Sequence, residues 1–152
     1  MPKKLLIVDD DTDLLDLLSS SFTAAGFSIV TATNGPEALK LARAIAPDLI
    51  VLDLILPEQD GFTVCEILRR ERATAGIPVI MLTGLTSEIN RYAGLGCGAN
   101  DYVRKPVTPE GLIARIELAL RVSSEPNLKQ AVTTSLTARA AGSEKQTMRR
   151  AA

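Results

Sequence analysis

The sequence contains no histidine and no tryptophan, and it has only two cysteines, Cys65 and Cys97. Without histidine, the chain cannot supply an imidazole base, a Ser-His nucleophile pair or a phosphohistidine. The two cysteines lie far apart and form no CxxC pair, so they predict neither a zinc site nor a disulfide framework. We expect both to be small, buried apolar side chains.

Long apolar runs are also absent. A helix that spans a bilayer needs about 18 or more apolar residues in succession. The runs in this chain end after four residues, as LLIV does at 5–8. The opening segment MPKKLLIVDD therefore does not have the apolar stretch of a signal peptide. We expect no membrane insertion and a cytoplasmic location.

The charge is split unevenly along the chain. Residues 1–122 hold 12 basic and 16 acidic side chains, whereas residues 123–152 hold 5 and 2. An acidic body argues against direct binding of nucleic acid. We expect one domain at 1–122 and a polar, basic, flexible tail at 123–152. Leu128, Val132 and Leu136 recur every fourth residue, so a short helix in the tail is the alternative.

Short apolar runs alternate with segments of helical periodicity. Buried runs of this length, each followed by an amphipathic helix, are typical of a parallel sheet that is covered on both faces. With right-handed crossovers, they predict a doubly wound, three-layer α/β domain with five strands. The predicted strands are Leu5–Val8, Ile29–Ala32, Leu49–Leu52, Val79–Leu82 and Tyr102–Val103.

Capping residues and breakers indicate where the five helices begin and end. The first helix has Asp11, Thr12 or Asp13 as its N-cap and stops at Gly26, and the fourth begins near Ser87. The second helix opens at Asn34 and ends before Pro47, and the third runs from Gly61 to Glu71. The fifth starts at Thr108, with Pro109 in the first helical position.

Polar side chains follow four of the five strands. Asp9 and Asp10 follow the first strand, Asp53 the third, Thr83 the fourth, and Lys105 comes just beyond the fifth. In an open parallel sheet the carboxyl ends of the strands meet at one edge, where ligands bind. We therefore expect these five side chains to converge there. The second strand has no comparable group, which suits a place at the side of the sheet.

Three carboxylates brought together need a compensating charge. Two of them about 4 Å apart repel by roughly 4 kcal/mol at an effective dielectric constant near 20. Mg²⁺ binds carboxylate and phosphate oxygens, so the acidic cluster predicts a magnesium site. Beside such an ion an aspartate can attack a phosphoryl group, while Lys105 and Thr83 would contact its oxygens. Asp11 and Asp13 are better explained as helix caps and first-turn acids.

Four stretches carry a family resemblance: LLIVDDD at 5–11, LIVLDLILPEQDG at 49–61, VIMLTG at 79–84 and GANDYVRKP at 98–106. In their order and spacing they resemble the receiver domain of two-component response regulators, from residue 4 to about 122. The resemblance implies a flavodoxin-like fold with strand order 2-1-3-4-5.

The resemblance also implies roles for individual residues. Asp53 would accept a phosphoryl group from a histidine kinase or a histidine phosphotransfer protein. Asp9, Asp10, Asp53 and the backbone carbonyl of Ile55 would hold Mg²⁺. Lys105 would contact the phosphoryl group.

A switch and an output surface follow from the same resemblance. Thr83 would move toward the phosphoryl group and Tyr102 would turn inward, although Tyr102 as ordinary sheet packing remains the alternative. The Lys105–Pro106 bond would be cis. Output to a downstream protein, or to a second copy in a homodimer, would use the fourth helix, fifth strand and fifth helix.

The resemblance implies that the chain is a signalling phosphoprotein of a phosphorelay. It would not be an enzyme, apart from reactions on its own aspartate. That chemistry would be Mg²⁺-dependent self-phosphorylation from a phosphodonor and slow autodephosphorylation. Ile55 and Leu85, two residues after Asp53 and Thr83, are apolar and would not orient a hydrolytic water. We therefore expect a slowly decaying phosphorylated state.

Other classes remain as alternatives. A phosphatase of the haloacid dehalogenase type would need a carboxylate where Ile55 stands, and a flavodoxin-like cofactor site would need a phosphate-binding loop where DDDTD stands. A phosphorylation-independent, receiver-like scaffold is the third alternative. We expect a stand-alone relay, with the receiver of a longer regulator as the other option.

Overall fold

The computed structural model describes residues 2–84 and 96–124, in which there are five strands and four helices. The strands are β1 (Lys4–Val8), β2 (Ser28–Ala32), β3 (Leu49–Asp53), β4 (Val79–Thr83) and β5 (Asp101–Arg104). The helices are α1 (Thr12–Ala24), α2 (Gly35–Ile45), α3 (Gly61–Arg70) and α4 (Pro109–Ser124).

The five strands form one parallel sheet in the order β2-β1-β3-β4-β5. This order and the α/β fold class confirm what the sequence and the resemblance implied. The strand β2, which no candidate site residue follows, lies at one side of the sheet as expected. Each strand is slightly longer than its apolar run, because pairing continues into flanking polar residues such as Lys4 and Asp53.

Alternate residues of the strands face two separate cores. Leu6 and Ile50 point to the side covered by α2 and α3, whereas Leu5 and Leu49 point to the side covered by α1 and α4. All four side chains are at most 1% exposed. The central strands are therefore apolar on both faces, which explains why their sequences are continuous apolar runs.

Side-chain oxygens cap the amino ends of the helices. Asp11 caps α1, Asn34 caps α2 and Asp60 caps α3, and in each case the side chain accepts backbone N–H groups of the first turn. The Thr108 hydroxyl accepts the N–H of Gly111 at the start of α4. Asp11 is thus a helix cap, as its place in the sequence indicated.

Several expectations concern residues that the structure does not describe. The predicted fourth helix near Ser87 and the tail beyond residue 124 lie outside the described ranges. The helix α4 corresponds to the fifth helix of the sequence prediction. Among the described residues, none of the helices is long and apolar enough to cross a membrane.

Gly61 sits where the backbone after β3 folds back on itself. Its N–H donates to the carbonyl oxygen of Leu54 at 2.7 Å. A Cβ at this position would lie 2.2 Å from the carbonyl oxygen of Asp53 and 2.9 Å from the Cα of Leu54. Because both neighbours are backbone atoms, the contact cannot be relieved by rotating a side chain. Gly61 therefore fixes the path of the loop that follows Asp53.

We predict that Gly61→Ala lowers the free energy of unfolding by about 2 kcal/mol or more, because the added methyl group overpacks a rigid turn. Gly76→Ala is the matched control, since a Cβ there meets no atom within 4 Å. Urea denaturation of both variants measures the difference. Equal stability of the two variants would contradict the close-approach argument.

Candidate functional site

The predicted site residues meet at the carboxyl edge of the sheet. Asp9 directly follows β1, Asp53 is the last residue of β3, and Thr83 is the last residue of β4. Their side chains are buried, with exposed fractions of 0%, 5% and 1% for the whole residues. Polar groups are this deeply buried only where partners compensate the lost hydration.

Three carboxylates form the acidic part of the site. One oxygen from each of Asp9, Asp10 and Asp53 lies within 4.8 Å of the other two. Asp9 and Asp53 are buried and Asp10 is exposed, so the cluster opens to solvent on the side of Asp10. A small set of convergent carboxylate oxygens with an open side suits a hard divalent cation that keeps some of its water.

Lys105 supplies the positive charge of the site. Its Nζ atom lies 2.9 Å from Oδ2 of Asp9 and 3.4 Å from Oδ2 of Asp53. The backbone N–H of Lys105 donates to the carbonyl oxygen of Thr83 at 2.7 Å, which holds the lysine beside the end of β4. The Lys105–Pro106 peptide bond is cis, as the resemblance implied. The sequence did not indicate the ion pairs of Lys105 with the two aspartates.

Crowding shifts the protonation of the site. Burial raises the pKa of Asp53 to about 6, and the charge of Asp9 adds to this effect while Lys105 opposes it. Burial works against the charge of Lys105, but its hydrogen bond to Asp9 and the charges of Asp53 and Asp9 outweigh that effect and raise its pKa. The ionised Asp53 is thus an anion that gains stability from any further cation placed beside it.

Ile55 lies against the candidate phosphoacceptor. Its backbone N–H donates to Oδ1 of Asp53 at 3.4 Å, and the residue is 59% exposed. An apolar side chain therefore stands at the mouth of the site. The part of Ile55 in metal binding, through its carbonyl oxygen, stays a prediction. Leu85, the other apolar position near the site, lies outside the described residues.

Thr83 and Tyr102 share one face of the sheet. Tyr102 pairs with Met81 across β4 and β5, and Thr83 is two residues beyond Met81 on the same strand. The Tyr102 side chain is partly buried, and its hydroxyl oxygen lies 3.2 Å from the Sγ atom of Cys97. Sequence reasoning missed this contact, because it treated Cys97 only as a small buried side chain. Both cysteines are indeed buried and unpaired in a disulfide.

The fold and the site together define a class of protein: a flavodoxin-like α/β domain with an acidic pocket and a lysine at the carboxyl ends of its strands. A family model for the response regulator receiver domain matches residues 5–117. The chain belongs to this family of two-component signalling proteins.

Curated relatives are similar over most of this chain. It is 46% identical over 121 residues to the DNA-binding dual master transcriptional regulator RpaA of Synechocystis sp., which covers 80% of this chain and 50% of the relative. It is 42% identical over 123 residues to the alkaline phosphatase synthesis transcriptional regulatory protein PhoP of Bacillus subtilis, over 81% of this chain and 50% of the relative. The chain thus spans about half the length of the curated relatives it matches.

Solved structures share the fold. A putative response regulator from Chloroflexus aurantiacus is 36% identical, with a TM-score of 0.74 over 80% of this chain and 99% of that one. A CheY-like receiver domain protein from Methanospirillum hungatei is 31% identical, with a TM-score of 0.75 over 82% of this chain and 98% of that one.

We predict that Mg²⁺ stabilises the protein and that Asp10→Asn removes most of this effect, because one of the three converging carboxylates is lost. A cation at 100 times its Kd adds about 2.7 kcal/mol to the free energy of unfolding. Thermal unfolding with and without Mg²⁺ measures the gain. Asp13→Asn is the control, since Asp13 is an exposed acid in the first turn of α1. A magnesium response in Asp10→Asn as large as in the wild type would contradict the site.

Proposed function

We propose that the chain is a phosphorylation-activated response regulator whose phosphoacceptor is Asp53. One observation carries the proposal: the buried carboxylate of Asp53 stands beside Asp9 and Asp10, with the ammonium group of Lys105 3.4 Å away. A nucleophilic carboxylate, an acidic cation site and a fixed positive charge are the groups that phosphoryl transfer needs.

The transfer step uses groups that are already in place. An oxygen of the ionised Asp53 attacks the phosphorus atom of the donor, and the bond from phosphorus to the leaving group breaks. The products are an aspartyl phosphate on this chain and the free leaving group. Because the chain has no histidine, a phosphohistidine donor has to come from a histidine kinase or a histidine phosphotransfer protein. A small acyl phosphate would serve as a donor by the same step.

Lys105 and Thr83 are proposed to hold the transferred group. In the unphosphorylated structure, the ammonium group of Lys105 is shared between Asp9 and Asp53. Once Asp53 carries phosphoryl oxygens, the same ammonium group has a more highly charged partner within reach. The Thr83 hydroxyl would donate a hydrogen bond to a phosphoryl oxygen.

The carboxylates of Asp9, Asp10 and Asp53 fit Mg²⁺, and the carbonyl oxygen of Ile55 would complete the protein ligands. When it is bound, the ion offsets the negative charge that the carboxylates and the phosphoryl oxygens bring together. Asp53 ends β3 and Asp9 directly follows the neighbouring strand β1, so the pairing of these strands brings their carboxylates together.

Signalling would follow from a shift between two conformations. Moving a population from about 1:99 to 99:1 takes roughly 5.5 kcal/mol of differential binding. We propose that the new contacts of Thr83 and Lys105 supply this free energy. A change in the position of Tyr102 would then alter the output surface. That surface would include β5 and α4, together with the predicted fourth helix.

The proposed output is contact with a downstream protein. RpaA is named as a DNA-binding regulator, but the match covers only half of its length. We do not carry DNA binding over to residues 1–122, because their acidic side chains outnumber their basic ones. This part of the chain would act as a stand-alone relay or as the receiver of a longer regulator.

Phosphorylation of Asp53 is tested by intact mass after incubation with Mg²⁺ and acetyl phosphate. We predict a gain of one phosphoryl group in the wild type and no gain in Asp53→Asn, because the amide is not a nucleophile. Asp13→Asn, the matched control, should gain the group like the wild type. A gain in Asp53→Asn would place the acceptor elsewhere. If the wild type gains nothing while it binds Mg²⁺, the phosphorylation-independent scaffold becomes the better account.

The exposed Ile55 predicts how long the modification lasts. Its side chain cannot orient water for attack on the aspartyl phosphate, so the phosphorylated state should decay slowly at neutral pH. We predict that Ile55→Asn shortens the lifetime, because a polar group at this position can hold a water beside the phosphorus. Loss of the phosphoryl mass after removal of the donor measures both lifetimes. A wild-type lifetime of seconds would contradict this prediction.

A further inference from the structure

A second cluster of reactive side chains lies next to Tyr102. Cys65 on α3 and Cys97, which precedes β5, are 0% and 3% exposed. The thiol of Cys65 donates to the carbonyl oxygen of Cys97 at 3.4 Å. The Tyr102 hydroxyl oxygen lies 3.2 Å from the Sγ atom of Cys97. The proposed phosphoryl-transfer step uses none of these groups, and only Tyr102 has a part in the proposed switch.

The contact between Cys97 and Tyr102 accompanies shifted pKa values of both groups. The neighbouring Cys65 thiol, the Tyr102 hydroxyl and the N–H of Ala99 lower the pKa of Cys97 to about 6, against the effect of burial. Burial raises the pKa of Tyr102 above its usual value, so the hydroxyl keeps its proton. Either atom can be the donor, and in both cases one hydrogen bond joins the tyrosine hydroxyl to the sulfur.

The residues next to Cys97 are hydrogen-bonded to α3. Beside Cys97, the Arg69 side chain on α3 donates from Nε to the carbonyl oxygen of Gly98 at 2.8 Å. It also donates from Nη2 to Oδ1 of Asn100 at 2.7 Å. The segment that carries Cys97 is thus tied to α3 through Arg69 as well as Cys65. Because the backbone around Cys97 is anchored to α3, a movement of the Tyr102 ring would separate its hydroxyl from the sulfur.

Cys97 and Thr83 belong to opposite ends of the sheet. Cys97 is in the segment that enters β5 at its amino end, whereas Thr83 ends β4 at the carboxyl edge. The hydroxyl of Tyr102 and the sulfur of Cys97 lie within hydrogen-bond distance in this structure. A movement of Tyr102 toward Thr83 would therefore have to break this hydrogen bond.

We propose that Cys97 is a positioning residue of the switch, whose sulfur holds Tyr102 in the unphosphorylated conformation. This inference rests on the proposed function of Asp53 and Tyr102. It assigns to Cys97 a role that its small size and burial alone do not indicate. Loss of the sulfur that contacts Tyr102 should raise the population of the conformation that phosphorylation favours.

The experiment is a titration of the full chain with beryllofluoride and Mg²⁺, followed by ¹⁹F NMR, in which beryllofluoride replaces the phosphoryl group on Asp53. We predict that Cys97→Ala binds it about fivefold more tightly than the wild type, the effect of one ordinary hydrogen bond. Cys97→Ser, which keeps an acceptor, should stay close to the wild type. A purely structural loss would weaken binding, so the direction of the change is diagnostic.

Two comparisons isolate the contact. In a Tyr102→Phe background, Cys97→Ala should have no further effect on binding, because the hydroxyl is already absent. Cys65→Ser is the matched control and should bind like the wild type, since it replaces the neighbouring buried thiol, keeps a donor to the carbonyl oxygen of Cys97 and leaves the sulfur that Tyr102 contacts. If Cys97→Ala does not fold, Cys97→Val fills the space without an acceptor and should show the same tighter binding.

Unchanged or weaker binding in Cys97→Ala, or an equal gain in the Tyr102→Phe background, would overturn the role of Cys97. In those cases the wild type still binds beryllofluoride, so the proposed function of Asp53 stands. If the wild type fails to bind beryllofluoride while Mg²⁺ binds, the proposed function fails, and the inference about Cys97 fails with it.

Discussion

Repulsion between buried carboxylates is the constraint on which the site depends. Asp53 ends β3, Asp9 directly follows the neighbouring strand β1, and both are almost completely buried, so each raises the energy of the other's charge. Lys105 offsets part of this cost by pairing with both. Burial first, and then the charge of Asp9, still raise the pKa of Asp53 to about 6. A site with three carboxylates and one ammonium group is suited to take up a cation and then a phosphoryl group.

The fold places the polar groups of the site at the ends of the strands. Both faces of the central strands are covered by helices, so polar side chains can be presented only where the strands end. The close packing of Gly61 against the carbonyl of Asp53 then fixes the loop beside the acceptor. The strand order and the path of the loop after Asp53 therefore together determine where the acidic pocket lies.

The sequence was sufficient to predict features that depend on local signals. Apolar runs predicted the strands, and capping residues such as Asn34 predicted helix ends. The polar residues after four of the strands predicted a convergence that the structure shows for Asp9, Asp10, Asp53 and Lys105. Contacts between distant segments could not be predicted in this way. Lys105 and Asp9 are 96 positions apart, and their ion pair depends on how β5 docks beside β4. The bond from Tyr102 to Cys97 likewise depends on how Arg69 ties the intervening segment to α3.

A crystal structure of the chain with Mg²⁺ and beryllofluoride tests the central claim most directly. We expect beryllofluoride on the carboxylate of Asp53, a metal ion joined to Asp9, Asp10 and Asp53, and Lys105 moved from Asp9 to a fluorine atom. A metal ion bound elsewhere, or Lys105 still paired with Asp9 beside an occupied Asp53, would contradict the account.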